Sequence, residues 1–144
     1  MIEPDTFLVD ANVPMYAAGA AHAYQIPSQE ILERVTRGEL RAVTDAEVHQ
    51  EILHRFLALH LPEKAREVSE DFQTLVPAVL PVTMQDIERA RALSISYIDL
   101  PARDLLHVAI MLNNGVGTIV SADRHFDQVT EIRRLDPIAA FGAV

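Results

Sequence analysis

The sequence predicts a three-layer α/β/α sandwich with a mainly parallel central sheet. Short apolar runs alternate along the chain with longer segments whose apolar residues recur every three or four positions. The first pattern is typical of buried strands and the second of amphipathic helices. Strands that alternate with helices pair in parallel, and the helices then cover both faces of the sheet. No repeat, low-complexity tract or linker interrupts this order, so we expect one domain across residues 1–144.

Two strands and four helices are expected in the first half of the chain. The first strand is an apolar run that ends in Asp10, and the helix behind it has Asn12 as its expected N-cap. Ser28 is the expected N-cap of the second helix. Thr44 or Asp45 is expected to cap a third helix, whose apolar face extends to Leu59. The strands are predicted at residues 6–10 and 40–44, and the helices at residues 15–23, 29–37, 46–60 and 63–75.

Three strands and two helices are expected in the second half of the chain. Thr83 and Asp86 have the spacing of a capping box at a helix start. Pro101 begins the helix that carries Asp104, and Gly115 follows its end. The strands are predicted at residues 76–82, 118–121 and 131–135, the helices at 83–94 and 101–113, and a short turn or helix at 123–127.

The composition indicates an ordinary globular protein, with 49% hydrophobic and 23% charged residues. No apolar run approaches the roughly 18 residues of a membrane span, and no signal-peptide pattern opens the chain. The absence of cysteine excludes disulfides, thiolate zinc sites and cysteine nucleophiles. We therefore expect a cytoplasmic protein that does not contact a membrane.

The charge balance excludes several function classes. A net charge of −9 argues against capture of nucleic acid by a broad basic face, but it permits a nuclease in which cations neutralise the acids. Lys64 is the single lysine, and no GxxxxGKS/T phosphate loop is present, which argues against a nucleotide-binding switch. A phosphoacceptor receiver module needs a lysine late in the chain, whereas Lys64 lies in a mid-chain helix.

Four acids are expected to meet at one edge of the sheet, because the carboxyl ends of parallel strands share an edge. Asp10 ends the first strand, Glu51 lies in the helix after the second, Asp104 starts a later helix and Asp123 follows the fourth strand. Each acid alone has the simpler explanation of helix capping. Four carboxylates together repel one another unless protons or a cation compensate their charge.

An all-oxygen cluster suits Mg²⁺ or Mn²⁺ rather than zinc. The reaction that such a centre performs best is hydrolysis of a phosphodiester, because the ion orients and deprotonates water and stabilises charge on the reacting oxygens.

At these residues the whole chain resembles the PIN-domain nucleases, most closely the small VapC-type toxins of toxin–antitoxin pairs. The family places its four acids as this chain does, in the segments FLVDANV, TDAEVHQEILHRF, ARDLLHVAI and TIVSADRHFD. Two polar companions also match, namely Asn12 two residues after the first acid and Ser121 two before the last. In the family such groups hold the carboxylates or the metal-bound water.

The resemblance implies a PIN-like fold and a metal-dependent endoribonuclease. Asp10, Asp104 and Asp123 would bind Mg²⁺ or Mn²⁺, and Glu51 would complete the catalytic set and position the hydrolytic water. The implied substrate is RNA, with tRNA and rRNA as the targets that such toxins cut. The implied partners are a second copy in a homodimer and a cognate antitoxin that places an arginine in the acidic groove. The charged helical hairpin at residues 47–75 is a candidate surface for either partner.

Some assignments remain open at this point. Glu47 lies one helical turn before Glu51 and is an alternative to it. Asp127 is either an auxiliary acid or a cap, and Arg103 and Arg124 either form salt bridges with the acids or grip a phosphate. His107 lies on an apolar helix face, where packing or hydrogen bonding is the expected role, and His125 is expected to face solvent. A PIN fold that only binds nucleic acid or acts as a scaffold is the main rival to the enzyme.

Overall fold

The computed structural model describes residues 2–141, which form one five-stranded parallel sheet with helices on both faces. The strands are β1 Phe7–Val9, β2 Ala42–Asp45, β3 Val79–Leu80, β4 Thr118–Val120 and β5 Arg133–Leu135. The helices are α1 Asn12–Ala18, α2 Gln25–Thr36, α3 Ala46–Ala58, α4 Pro62–Leu75, α5 Met84–Ser96, α6 Ala102–Asn113 and α7 Pro137–Phe141. A 3₁₀ turn spans Arg124–Gln128.

The strand order is β3-β2-β1-β4-β5, with every neighbouring pair parallel. Phe7 is in register with Ala42 on one side and with Thr118 on the other, so β1 lies at the centre of the sheet. The chain builds outward from β1 to β3 and then crosses over to β4. The carboxyl ends of β1 and β4 therefore flank the point where the strand order reverses, which is where open α/β sheets form ligand crevices.

The pleat of the strands sends alternate side chains into two separate cores. Phe7 and Val9 pack with residues of α2, α3 and α4, whereas Leu8, between them, packs on the opposite face with residues of α6. The same alternation separates Val120 from Ile119. Two cores on the two faces of one sheet confirm the three-layer sandwich predicted from the sequence.

Several helix boundaries follow from the local sequence as predicted. Asp45 accepts a hydrogen bond from the backbone N–H of Val48 at 2.8 Å and caps α3. Thr83 and Asp86 form the complete capping box at the start of α5. Gly115 has a φ of +71°, a left-handed conformation that glycine adopts without steric cost, so α6 ends there.

Two predicted N-caps are wrong. Ala11 occupies the N-cap position of α1, and the Asn12 side chain bonds across to the ends of β1 and β4 instead. Ser28 lies inside α2, which begins three residues earlier at Gln25, and its side chain is fully buried. In both cases a residue type that favours N-caps lies within one turn of the observed helix start but does not cap it.

Other boundaries also differ from the prediction. The first helix ends at Ala18 rather than continuing to residue 23. The strand predicted at residues 76–82 is reduced to Val79–Leu80, because the prolines on either side have no backbone N–H to donate to a neighbouring strand. Leu59 is 53% exposed, so the buried face of α3 ends at Phe56. Helix α7 was not predicted. No helix within residues 2–141 is long and apolar enough to cross a membrane.

Candidate active site

Asp10 lies at the carboxyl end of β1 and is almost fully buried, with 4% of its surface exposed. Its Oδ1 accepts a hydrogen bond from the backbone N–H of Ala11 at 2.8 Å. Its Oδ2 accepts one from Ser121 Oγ at 2.6 Å and one from Asn12 Nδ2 at 3.2 Å. A buried carboxylate is costly unless it is bonded in this way. The side chain is therefore fixed in one orientation before any ligand arrives.

Asn12 and Ser121 connect the ends of β1 and β4 as a polar brace. Asn12 Nδ2 donates to Ser121 Oγ at 3.0 Å, and Asn12 Oδ1 accepts from the backbone N–H of Ala122 at 3.1 Å. Ser121 Oγ also accepts from the backbone N–H of Asp123 at 3.0 Å. The brace thus holds both the carboxylate of Asp10 and the backbone that carries Asp123.

Asp104 and Asp123 come together on the more open side of the site. Candidate ligand atoms of Asp104, Asp123 and His125 all lie within 4.8 Å of one another. His125 Nδ1 is 3.4 Å from Asp104 Oδ2 and 3.2 Å from Asp123 Oδ1. His125 is 55% exposed, as expected for a solvent-facing residue, yet its ring also lies against these two acids.

The electrostatics of the site penalise ionised carboxylates. Burial, together with the charges of Asp123 and Asp10, raises the pKa of Asp104 to about 6. Burial also raises the pKa of Asp10, with Glu51 adding to the effect and the charge of His107 opposing it. A cation bound among these oxygens would remove this penalty, which gives the cluster a physical reason to bind one.

Of the two candidate glutamates, Glu51 lies with the buried acid. Candidate ligand atoms of Asp10, Glu51 and His107 lie within 4.8 Å of one another. Arg103 Nε lies between the two glutamates, 3.3 Å from Glu47 Oε1 and 3.4 Å from Glu51 Oε1. Glu47 belongs to neither group of potential metal-binding residues within residues 2–141.

His107 has a buried partner that the sequence did not predict. Its Nδ1 lies 2.6 Å from Asp45 Oδ2, and both residues are fully buried. Burial lowers the pKa of His107, but the carboxylates of Asp45, Glu51 and Asp10 outweigh it, and the pKa stands well above its usual value. The only sign of this contact in the sequence was an aspartate at the end of one predicted strand and a histidine on a later predicted helix. Their separation of 62 positions concealed the contact.

Asp127 and Arg124 do not join the acids. Asp127 is 53% exposed and pairs with Arg134, at 2.8 Å from Nε to Oδ1. That ion pair holds the pKa of Asp127 below its usual value. Arg124 is exposed and forms no ion pair with another described residue. It lines a cavity of about 490 Å³ together with Tyr24 and Arg134.

A cluster of aromatic rings beside the brace was also missed. Tyr16 stacks on His22 with a centroid separation of 4.6 Å and on Tyr24 at 5.1 Å. Tyr16 shares a cavity of about 580 Å³ with Asn12 and Arg55. Aromatic rings and arginines next to an acidic centre are the groups that contact the bases and phosphates of single-stranded nucleic acid.

The chain matches a known protein family. The family model described as "PIN domain" matches residues 7–132. Ribonuclease VapC13 of Mycobacterium tuberculosis is 41% identical over 128 residues, which cover 89% of this chain and 98% of that protein. Ribonuclease VapC23 of the same species is 37% identical over 118 residues, which cover 80% of this chain and 90% of that protein.

Solved structures share the fold at low sequence identity. VapBC2 from Rickettsia felis, bound to a DNA fragment from its promoter, aligns with a TM-score of 0.72 at 12% identity and covers 90% of this chain and 97% of that chain. FitAcB from Neisseria gonorrhoeae aligns with a TM-score of 0.68 at 15% identity and covers 91% and 97%. From the family model and the relatives above 30% identity, the chain belongs to the PIN-domain family, among its VapC-type members.

Proposed function

We propose that this protein is a metal-dependent endoribonuclease and the toxin of a toxin–antitoxin pair. One observation carries the proposal: two adjoining acidic groups, one around Asp10 and one around Asp104, lie at the crevice between β1 and β4. The ribonuclease names of relatives up to 41% identical support the choice of RNA as the substrate.

The residues fit a hard divalent cation. Carboxylate oxygens are the ligands that Mg²⁺ and Mn²⁺ prefer, and the raised pKa of Asp104 marks a place where positive charge is favourable. We assign Asp10, Asp104 and Asp123 as the residues that hold the ion. Asp104 and Asp123 keep 11% and 31% of their side chains exposed, which leaves the open side of the site to water and substrate.

The bound ion would supply an activated water and charge stabilisation on the phosphate. Glu51 would accept a hydrogen bond from the attacking water and orient it towards the phosphorus. Asn12 and Ser121 keep the carboxylate of Asp10 in place through bonds of 3.2 and 2.6 Å. Because these bonds exist before substrate binds, little reorganisation is needed during the reaction.

The RNA would approach across the surface that flanks the brace. Arg55, which lines the cavity of Asn12, and Arg124, which lines that of Tyr24, are exposed and suit contacts with phosphates. Arg103 is already shared by two glutamates. The Tyr16 and His22 rings next to Asn12 suit contacts with bases. The choice between tRNA and rRNA depends on the shape of this surface.

Two exposed apolar surfaces suit the two proposed protein partners, an antitoxin and a second copy of the chain. All of these proteins would act in the cytoplasm. At the turn of the α3–α4 hairpin Leu57, Leu59 and Leu61 are 44–53% exposed, and Leu59 shares the cavity of Asn12. An antitoxin that places an arginine among the acids would reach this surface as well. Ile95 and Ile98, at the end of α5, are 81% and 82% exposed and suit a homodimer contact.

Metal-dependent RNA cleavage tests the enzymatic part of the proposal. Purified protein free of antitoxin is incubated with total RNA in Mg²⁺, in Mn²⁺ and in EDTA, with Asp10→Asn and Asp123→Asn as controls. Cleavage that needs the ion and both acids is expected. Equal cleavage by the variants, or none with either metal, would instead indicate a PIN fold that binds nucleic acid or acts as a scaffold.

Co-purification tests the partner. The chain is expressed together with any small open reading frame that adjoins its gene, and the complex is isolated through a tag on the chain. A complex that is inactive until the small protein is removed is expected. Recovery of the chain alone would weaken the toxin assignment and would not affect the nuclease assignment.

A further inference from the structure

A fully buried histidine lies directly against the acidic cluster. His107 Nε2 is 3.5 Å from Glu51 Oε1 and 3.8 Å from Asp10 Oδ1, which is too long for an ordinary hydrogen bond. This nitrogen is buried and has no hydrogen-bond partner among the described residues. The other ring nitrogen, Nδ1, is only 2.6 Å from Asp45 Oδ2. The ring is thus held from one side and aimed at carboxylates on the other.

The chemistry of Asp45 decides which ring nitrogen is a donor. An ionised carboxylate only accepts hydrogen bonds, and Asp45 Oδ1 already accepts from the N–H of Val48. His107 Nδ1 therefore donates to Oδ2. A bare Nε2 would then direct its lone pair at the oxygens of Glu51 and Asp10, which is repulsive. Either a proton on Nε2 or a metal ion must lie between them.

The burial of His107 favours a proton on Nε2 over a metal ion at that position. His107 has no exposed surface, whereas the carboxylates of Asp104 and Asp123 reach solvent. Mg²⁺ keeps several water ligands in protein sites, so a hydrated ion belongs on the open side of the cluster.

We propose that His107, held by Asp45, is a positioning residue that orients the carboxylates of Glu51 and Asp10 from the buried side of the site through the electrostatic attraction of its Nε2–H. The proposal rests on the proposed function in one respect, since these carboxylates are the ones assigned to the metal centre. It also gives a reason why Glu51, and not Glu47, completes that centre. Both glutamates contact Arg103, but Glu51 alone of the two lies within reach of His107.

Binding of Mg²⁺ and Mn²⁺, measured by calorimetry, provides the first test. His107→Asn places an amide near the position of Nδ1, which preserves a donor to Asp45 and removes the group that faces Glu51. We expect affinity for the ion to fall about tenfold to a hundredfold, the range found when the group that orients a metal ligand is removed. A variant that binds the ion as tightly as the wild type would overturn the proposal.

His49→Asn is the matched control. His49 also carries a buried Nε2 without a partner among the described residues, and its Nδ1 is 2.8 Å from Ser69 Oγ, but it belongs to neither group of potential metal-binding residues within residues 2–141. This control variant should keep the wild-type metal affinity even where its stability changes. An equal loss of affinity in both variants would show a general packing effect and overturn the positioning role.

A double-mutant cycle in EDTA tests the contact independently of metal and activity. The unfolding constant is measured by urea for His107→Asn, Glu51→Ala and the double variant, and again with Glu47→Ala in place of Glu51→Ala. The effect of His107→Asn should be about fivefold or more smaller when Glu51 is absent and unchanged when Glu47 is absent. Coupling to neither glutamate would overturn the proposal even if the protein proved not to be a nuclease.

Nitrogen-15 NMR of the histidine rings distinguishes positioning from direct ligation. Spectra are recorded without metal and at saturating Mg²⁺, and the His107 signals are assigned from the His107→Asn variant. A proton that remains on Nε2 in the loaded protein is expected. Loss of that proton on loading would mean a nitrogen–metal bond and would overturn the positioning role.

Discussion

Ser121 Oγ donates a hydrogen bond to Asp10 Oδ2 at 2.6 Å across 111 positions of the chain. The same hydroxyl accepts from Asn12 Nδ2 and from the backbone N–H of Asp123, each at 3.0 Å. A serine hydroxyl has one donor and two acceptor positions, and all three are used here. This one side chain therefore ties the end of β1 to the end of β4.

Ser121→Ala should weaken the site more than it weakens the fold. Loss of the hydroxyl leaves Asp10 Oδ2 with the bond from Asn12 and removes the support of the Asp123 backbone. We expect metal affinity and RNA cleavage to fall about tenfold to a hundredfold, and the free energy of unfolding to fall by about 1 to 2 kcal/mol. Calorimetry and urea unfolding measure the two effects.

Ser28→Ala is the control for this substitution. Ser28 is equally buried, but its hydroxyl has no partner among the described residues. Its removal deletes an unsatisfied polar group and should be neutral or stabilising, with wild-type cleavage. If the two alanine variants lost activity alike, the brace would have no special role.

Asp104→Asn should stabilise the metal-free protein while abolishing metal-dependent cleavage. Burial and the neighbouring acids raise the pKa of Asp104 to about 6, so its ionised form destabilises the metal-free protein at neutral pH. An amide of the same shape removes that charge, and we expect a gain of roughly 1 to 3 kcal/mol in the free energy of unfolding at pH 7 in EDTA. Asp127→Asn, at an exposed ion pair with Arg134, should give no such gain.

The same shift predicts how the stability of the metal-free protein depends on pH. Between the usual aspartate pKa of about 4 and the raised value of about 6, the native state holds a proton that the unfolded state has released. The contribution of Asp104 is therefore present below this window and is lost as pH rises through it.

The difference between wild type and Asp104→Asn isolates this contribution, since other carboxyls titrate in both proteins. In EDTA the wild type should lose stability relative to the variant from about pH 4 to pH 7, as measured by thermal or urea unfolding. A difference that stays constant across this range would mean that Asp104 titrates normally.

The sequence predicted the parts of the site that depend on local signals. Asp10, Asp104 and Asp123 each lie next to a strand or helix boundary that the apolar pattern and Pro101 predict within a residue or two. The parallel sheet then brings these boundaries to one edge, because strand direction is shared. The capping box at Thr83 was predicted for the same reason, since both of its partners lie within one turn.

Features that depend on tertiary contacts were not predicted. Asn12 and Ser28 are cap-forming residue types, but their side chains are used across the fold or buried inside a helix, so local preference misplaced both N-caps. The contact between Asp45 and His107 joins β2 to α6 and leaves no local pattern. Helix α7 has only five residues, too few to show a helical period.

Glu51→Gln and Glu47→Gln should differ in their effect on cleavage. Both glutamates contact Arg103, but only Glu51 lies with Asp10 and His107, and Glu47 belongs to neither group of potential metal-binding residues within residues 2–141. We expect the first substitution to reduce kcat strongly with little change in RNA affinity, because the group that positions water is lost. The second should stay within severalfold of the wild type. A larger loss in the Glu47 variant would assign the catalytic role to that residue.

Arg124→Ala should reduce RNA affinity without changing metal binding. Arg124 is exposed, follows Asp123 directly and has no ion pair within residues 2–141, so its charge is available to a phosphate. Binding is measured by fluorescence anisotropy in the Asp10→Asn background, where RNA stays intact. Loss of one phosphate contact should weaken binding and lower the slope of log affinity against log salt by about 0.7 to 1.

Arg41→Ala is the matched control, because Arg41 is also largely exposed but immediately precedes β2, at the opposite edge of the sheet from the acids. Its removal changes the net charge of the protein by the same amount. An equal loss of RNA affinity in the two variants would show that total charge, rather than the position of Arg124 beside the site, governs binding. A loss confined to Arg124→Ala would place the phosphate path along the edge that carries Asp123.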